Sequence, residues 1–122
     1  MNGNEKSMKT KVAEYVIDLV NNPDTTVSEL AEDVVKKALK YVSYRVNWLT
    51  YSNEQRMNED GFRTSAHNVF MDSLNILFRY MDKGCEENKF SSWALGLLSK
   101  YDRKDFGDIA AEIVYLAAIR MR

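Results

Sequence analysis

Apolar positions along this chain recur with the spacing of helices and nowhere with the alternation of strands. Val12, Tyr15, Val16, Leu19 and Val20 share one side of a helix predicted over residues 8–20. Asn21-Asn22-Pro23-Asp24-Thr25 collects turn formers and reads as a loop. Thr26 followed by Glu29 matches a capping box, so a second helix is predicted to open there and run unbroken to about Thr50. Ser52 with Gln55 gives another such box, opening a third helix that Gly61 is placed to kink and Gly84 to end. Its apolar side holds Phe62, Ala66, Val69, Phe70, Ser73, Leu74, Leu77 and Met81. A short helix is expected over residues 92–98. A last one is expected from about Asp102 onward, with Asp102, Asp105 and Asp108 at its positive end and Arg120 and Arg122 at its negative end. The expected fold class is all-α: one domain over residues 1–122, a helical bundle of four long helices plus one short helix, with residues 1–7 as a disordered N-terminal stretch.

Two of these helices are apolar around more than one side. On the second, Val27, Ala31, Val34, Val35, Ala38, Leu39, Val42, Val46 and Leu49 form a broad stripe. Tyr41, Tyr44, Trp48 and Tyr51 form another beside it in the C-terminal half. A surface helix needs an apolar face of only about 100° or somewhat more. The plain reading is a central helix touching two neighbours in its own chain. The sharper one makes the Tyr/Trp stripe a subunit or partner interface, where aromatics with polar tips are enriched. The final helix is similar, with Ile109, Ala110, Ile113, Val114, Leu116, Ala117, Ala118 and Ile119, and is expected in the middle of the bundle or of a dimer.

Composition narrows the function classes. With 45% hydrophobic and 29% charged residues, 5 Gly and 1 Pro, the 122-residue chain has the makeup of a globular domain with few turns. A net charge of -1 supplies no global field for nucleic acid or anionic lipid, so nucleic-acid and membrane partners are not expected. The apolar run at 109–119 is interrupted by Glu112 and falls short of the roughly 20 residues of a membrane span. A single cysteine, Cys85, gives no internal disulfide and no sign of an oxidising compartment, and the polar N-terminus lacks a signal-peptide core; a cytoplasmic location is expected.

Chemistry is sparse. Asn68, Asp72, Asn75 and Arg79 fall at spacings of four, three and four and share one face of the third helix. Asn and Asp are mediocre helix formers, so this stripe is either a solvated face or a polar network that orients a ligand or locks a helix pair. Asp105, Asp108 and Glu112 form a matching acidic stripe on the last helix, within reach of Arg63 or Arg79 if the two helices face each other. His67 is the only histidine. One histidine and one cysteine cannot close a zinc site, and about 18 helical residues put His67 and Cys85 roughly 27 Å apart, too far for a catalytic dyad. No Walker loop, dinucleotide fingerprint or nucleophile elbow is present. No cofactor and no metal are expected.

Three resemblances bear on function. The segment Phe106-Gly107-Asp108-Ile109-Ala110-Ala111-Glu112-Ile113-Val114-Tyr115-Leu116 resembles the acidic helix of the all-α nucleoside triphosphate pyrophosphohydrolases, and Glu29-x-x-Glu32 their partner motif. That resemblance implies magnesium held at nucleotide phosphates, although the family places its acidic pairs much closer along the chain. Thr26-Val27-Ser28-Glu29-Leu30-Ala31-Glu32 resembles the opening of a helix-turn-helix, implying a DNA-binding regulator, but no turn follows, and Lys36, Lys37 and Lys40 are few for a DNA footprint. Over about half the chain, Arg63-x-x-x-His67-Asn68-x-Phe70-x-Asp72-x-x-Asn75-x-Leu77-x-Arg79, with Trp93, Leu95-Gly96 and Asp102-Arg103-Lys104-x-x-Gly107-Asp108-x-Ala110, resembles an uncharacterised family of short all-α bacterial proteins associated with mobile elements. That likeness implies that the polar stripe and the Asp-Arg-Lys turn belong together as one site. The reading the residues favour is a self-associating or protein-interaction module, a homodimer or partner binder without catalytic residues. Its hypothetical ligand site is His67, Asn68, Asp72, Asn75, Arg79, Asp105 and Asp108, and its hypothetical interface Tyr41, Tyr44, Trp48 and Tyr51.

Overall fold

The computed structural model describes residues 8–50, 52–84, 96, 99–100 and 103–120, with the side chains of 48–49, 58–60, 82–84 and 103 outside that description. The fold is an all-α helical bundle. Four helices carry the described residues: α1 Met8–Leu19, α2 Thr25–Thr50, α3 Asn53–Gly84 and α4 Arg103–Arg120. No helix among them is long and apolar enough to cross a membrane. The short helix expected over 92–98 lies outside the described residues except for Gly96, which is helical.

Local chemistry sets the ends. The last turn of α1 tightens into bonds between residues three apart, Val20 N donating to Ile17 O at 3.2 Å and Asn22 N to Leu19 O at 3.0 Å. The cap of α2 is Asp24, not the expected Thr26: Asp24 Oδ1 accepts from Thr26 N at 2.9 Å and Val27 N at 3.3 Å. An aspartate carboxylate in the turn outcompetes a hydroxyl two residues later, so the helix starts one residue sooner. Ser28 Oγ then donates back to Val20 O at 2.5 Å, tying α2 to the end of α1. The second box forms as read: Ser52 N donates to Gln55 Oε1 at 2.8 Å and Gln55 N to Ser52 Oγ at 3.2 Å. Gly61 lies within a continuous α3, which ends at Gly84.

Cross-helix contacts fix the topology. Tyr41 of α2 meets His67 and Phe70 of α3, which, with the connection at residues 51–52, makes α2 and α3 an antiparallel hairpin. Lys9 reaches Asp105 and Asp108, while Glu14 and Asp18 reach Arg120, so α1 and α4 run parallel. The order is up, down, up, up. Ala13, Ala31, Ala38 and Ala110 are all fully buried, and their small side chains let α1, α2 and α4 approach closely. Phe70, Leu74, Leu77 and Phe78 of α3 fill the remaining side, with the Phe78 ring 5.6 Å from Tyr15.

The helices differ in reach. At 1.5 Å per residue, α1 and α4 span about 18 and 27 Å, whereas α2 and α3 span about 39 and 48 Å. The hairpin therefore outruns its cover: no described side chain between residues 42 and 65 is buried. This corrects the expected core, because Leu39, Val46, Phe62 and Val69 are exposed. In α4, Ile109, Ala110 and Ile113 are buried as expected, but Tyr115 and Ile119 are exposed.

Candidate functional site

The polar stripe of α3 largely faces solvent. Asn68, Asp72 and Arg79 are exposed, and half-buried Asn75 uses Nδ2 to donate to Met71 O of its own helix at 3.0 Å. Such a bond to a carbonyl four residues back engages one N–H of the amide within its own helix.

The acidic stripe of α4 meets α1. Lys9 Nζ lies 2.7 Å from Asp105 Oδ1 and 2.9 Å from Asp108 Oδ2, so an amine of α1 answers these carboxylates. Hydrogen bonds donated first to Asp105 and then to Asp108 hold the Lys9 amine well above the ordinary lysine value. Two aspartates one turn apart near the positive end of α4 are a ready counter-charge for an amine on the adjacent helix. The partner was illegible in the sequence because 99 residues separate Lys9 from Asp108.

His67 sits in the core, 6% exposed. Its ring stands edge-on to Tyr41 at 5.3 Å and to Phe106 at 5.9 Å, joining α2, α3 and α4. Asn68 Oδ1, which can only accept, lies 3.1 Å from Nδ1. Nε2 is buried with no hydrogen-bond partner among the described residues. Beside this cluster the Arg45 guanidinium lies 5.8 Å from the Tyr41 ring centre and directly against Gly107, where a Cβ would overlap it. Gly107 is therefore a packing position inside a helix.

Tyr41 is 1% exposed and belongs to this core, so it offers no surface to a partner; the expected interface loses its first member for that reason. Tyr44 is half-buried, the side chain of Trp48 lies outside the description, and Tyr51, Cys85, Trp93 and Asp102 lie outside the described residues. Tyr44 lines an open cleft between α2 and α3 of about 120 Å³, together with Lys37, Lys40, Phe62, Ser65, Ala66 and Val69. The cleft has an apolar floor with ammonium groups on one lip. Phe62, Val69 and Ile76 follow at spacings of seven, a signal the sequence carried; Phe62 and Val69 were expected on the apolar side of the helix, yet all three are exposed.

Among the described residues no three Asp, Glu, His or Cys side chains converge on a point that could hold a metal ion. Glu29 and Glu32 are exposed on α2, whereas Asp105 and Asp108 are held by Lys9. No protein-family model matches the chain, and no curated protein or solved structure matches it either.

Proposed function

We propose that this protein is a helical interaction module that works by self-association, with the α2–α3 hairpin as its contacting element and no chemistry of its own. One observation carries the reading. Between residues 42 and 65 the hairpin buries none of its described side chains, yet Val46, Met57 and Phe62 are all more than half exposed. Single exposed apolar residues are ordinary, but several on one arm that has no core of its own mark a surface that another helix covers. A two-helix arm draws little stability from propensity alone, so covering it also rigidifies it.

The other readings find less support. A magnesium-dependent pyrophosphohydrolase needs carboxylates from two helices around one point, and Asp105 and Asp108 are instead engaged by an amine. DNA binding needs a basic face, and Lys36 and Lys40 share their stripe with Glu29 and Asp33. Sedimentation velocity on the full chain over a wide concentration range tests the proposal. A concentration-dependent dimer is expected; a strict monomer at the highest concentrations overturns it.

A further inference from the structure

The cleft between α2 and α3 is one end of a longer surface. Along α3, Phe62 is 57% exposed, Val69 42%, Ile76 54% and Tyr80 39%. Their spacings of seven, seven and four place them in one row about 27 Å long. Along the adjoining edge of α2, Glu29, Asp33, Lys36 and Lys40 follow at spacings of four, three and four, again one row. All but Asp33 are exposed, and Asp33 is half-buried beside Lys37 at 3.3 Å. The charges are segregated, with both acids in the first half of the row and both lysines in the second.

We infer that this face is closed by a second copy of this chain lying antiparallel on it, an assignment that rests on the self-association reading and specifies its surface and register. The charge order argues for a second copy over an unrelated partner. A row that runs acid, acid, base, base complements itself when reversed, with the two-fold axis midway along it. Lys40 of one copy then faces Glu29 of the other, and Lys36 faces Asp33. Three members of the apolar row, Val69, Ile76 and Tyr80, obey the same axis. The contacts of Tyr41 with His67 and Phe70 set the level of α2 against α3. At that level, the midpoint of the charged row lies beside the midpoint between Val69 and Tyr80. Reversal thus lays Val69 on Tyr80 of the other copy, with Ile76 near the axis. A small ligand in the cleft would touch only the Phe62–Val69 end and would leave Ile76 and Tyr80 in water. A purely acidic helix would meet Glu29 and Asp33 with like charge.

The test uses the full chain and three variants: Ile76→Glu, Lys36→Glu with Lys40→Glu, and Glu29→Lys with Asp33→Lys. All five positions are on the surface, and circular dichroism at 222 nm checks that the helices persist. By sedimentation at low salt, wild type is expected to dimerise, and each variant to dimerise at least about tenfold more weakly, because every contact across the axis becomes like-charged or buries a carboxylate. An equimolar mixture of the two charge variants, one with an all-acidic row and one all-basic, is expected to regain a dimer holding one copy of each, seen by native mass spectrometry. This mixing decides the matter even if Ile76→Glu loses helicity. Charge variants that dimerise like wild type, or a mixture that forms no heterodimer, overturn the inference. If dimers survive these changes but are lost on Val46→Glu with Met57→Glu, the self-association reading stands and this surface assignment fails. A monomeric wild type removes both.

Discussion

Replacing His67 with methionine should stabilise the protein, although it removes the only histidine from the centre of the bundle. The ring is 6% exposed and Nε2 has no partner among the described residues, so every folded molecule carries a desolvated nitrogen that water would satisfy in the unfolded chain. Such an orphan costs about 1–3 kcal/mol. Methionine is close to histidine in volume, favours helix by a few tenths of a kcal/mol, and its thioether makes contacts of about 0.3–1.5 kcal/mol with rings such as Tyr41 and Phe106. Against this stand the two edge-on ring contacts, about 0.5–1.5 kcal/mol each, and the bond to exposed Asn68, which water replaces at a cost of about 0.5 kcal/mol. The balance favours His67→Met by about 1 kcal/mol. Urea unfolding followed at 222 nm should show a higher midpoint with an unchanged slope, and heating a rise of roughly 4 °C. A loss of 1 kcal/mol or more would refute the reasoning, because it would mean that Nε2 is satisfied and that the polar ring holds the three helices together.

Lys9→Met should destabilise by about 1 kcal/mol at neutral pH and low salt, since the triad with Asp105 and Asp108 is partly exposed. The Lys9 amine is raised on folding, so its contribution is fully present below the ordinary value of 10.5 and is lost as pH rises through the folded value; the gap between wild type and Lys9→Met in urea midpoints should therefore shrink at strongly alkaline pH, and a constant gap would argue against the ion pair. Asp24→Ala should cost about 1 kcal/mol and Thr26→Ala only a few tenths, because Asp24 caps α2; equal losses would return the cap to Thr26. Gly107→Ala should be close to neutral in wild type, as a helix gain of about 1 kcal/mol is offset by displacing Arg45 from its seat. In an Arg45→Ala background the same change should stabilise by the full amount, and a double-mutant cycle without coupling would contradict the contact.

What the sequence made legible were features decided within one or two helical turns. The Ser52–Gln55 box and the loop around Pro23 depend only on neighbours a few residues away. The all-α class followed from the same periodicities. Coverage did not. A period of 3.6 tells which side of α3 is apolar, but whether Phe62 or Phe70 meets a neighbour depends on how far α1 and α4 reach, and both stop short of the hairpin tip. The candidate site is open to a related question: Asn68 and Asp105 each lie on a readable stripe, yet the rotation of α3 against α4 decides whether the stripes meet. His67 illustrates the remaining gap. Its place beside the polar stripe was visible, but its burial against Phe106 arises from a pairing 39 positions away.

The parallel zipper between α1 and α4 also governs when the bundle can close during synthesis. Lys9 waits for Asp108, and Glu14 for Arg120, which is 106 positions later. At about 5–20 residues per second, the ribosome leaves the apolar flank of α1 without its permanent neighbour for several seconds to tens of seconds. The α2–α3 hairpin can assemble in that interval from near contacts, while the first helix can engage only part of its final surroundings. Nascent chains stalled before α4 should accordingly be captured by chaperones through Val12, Val16 and their neighbours, and release should coincide with emergence of the last helix.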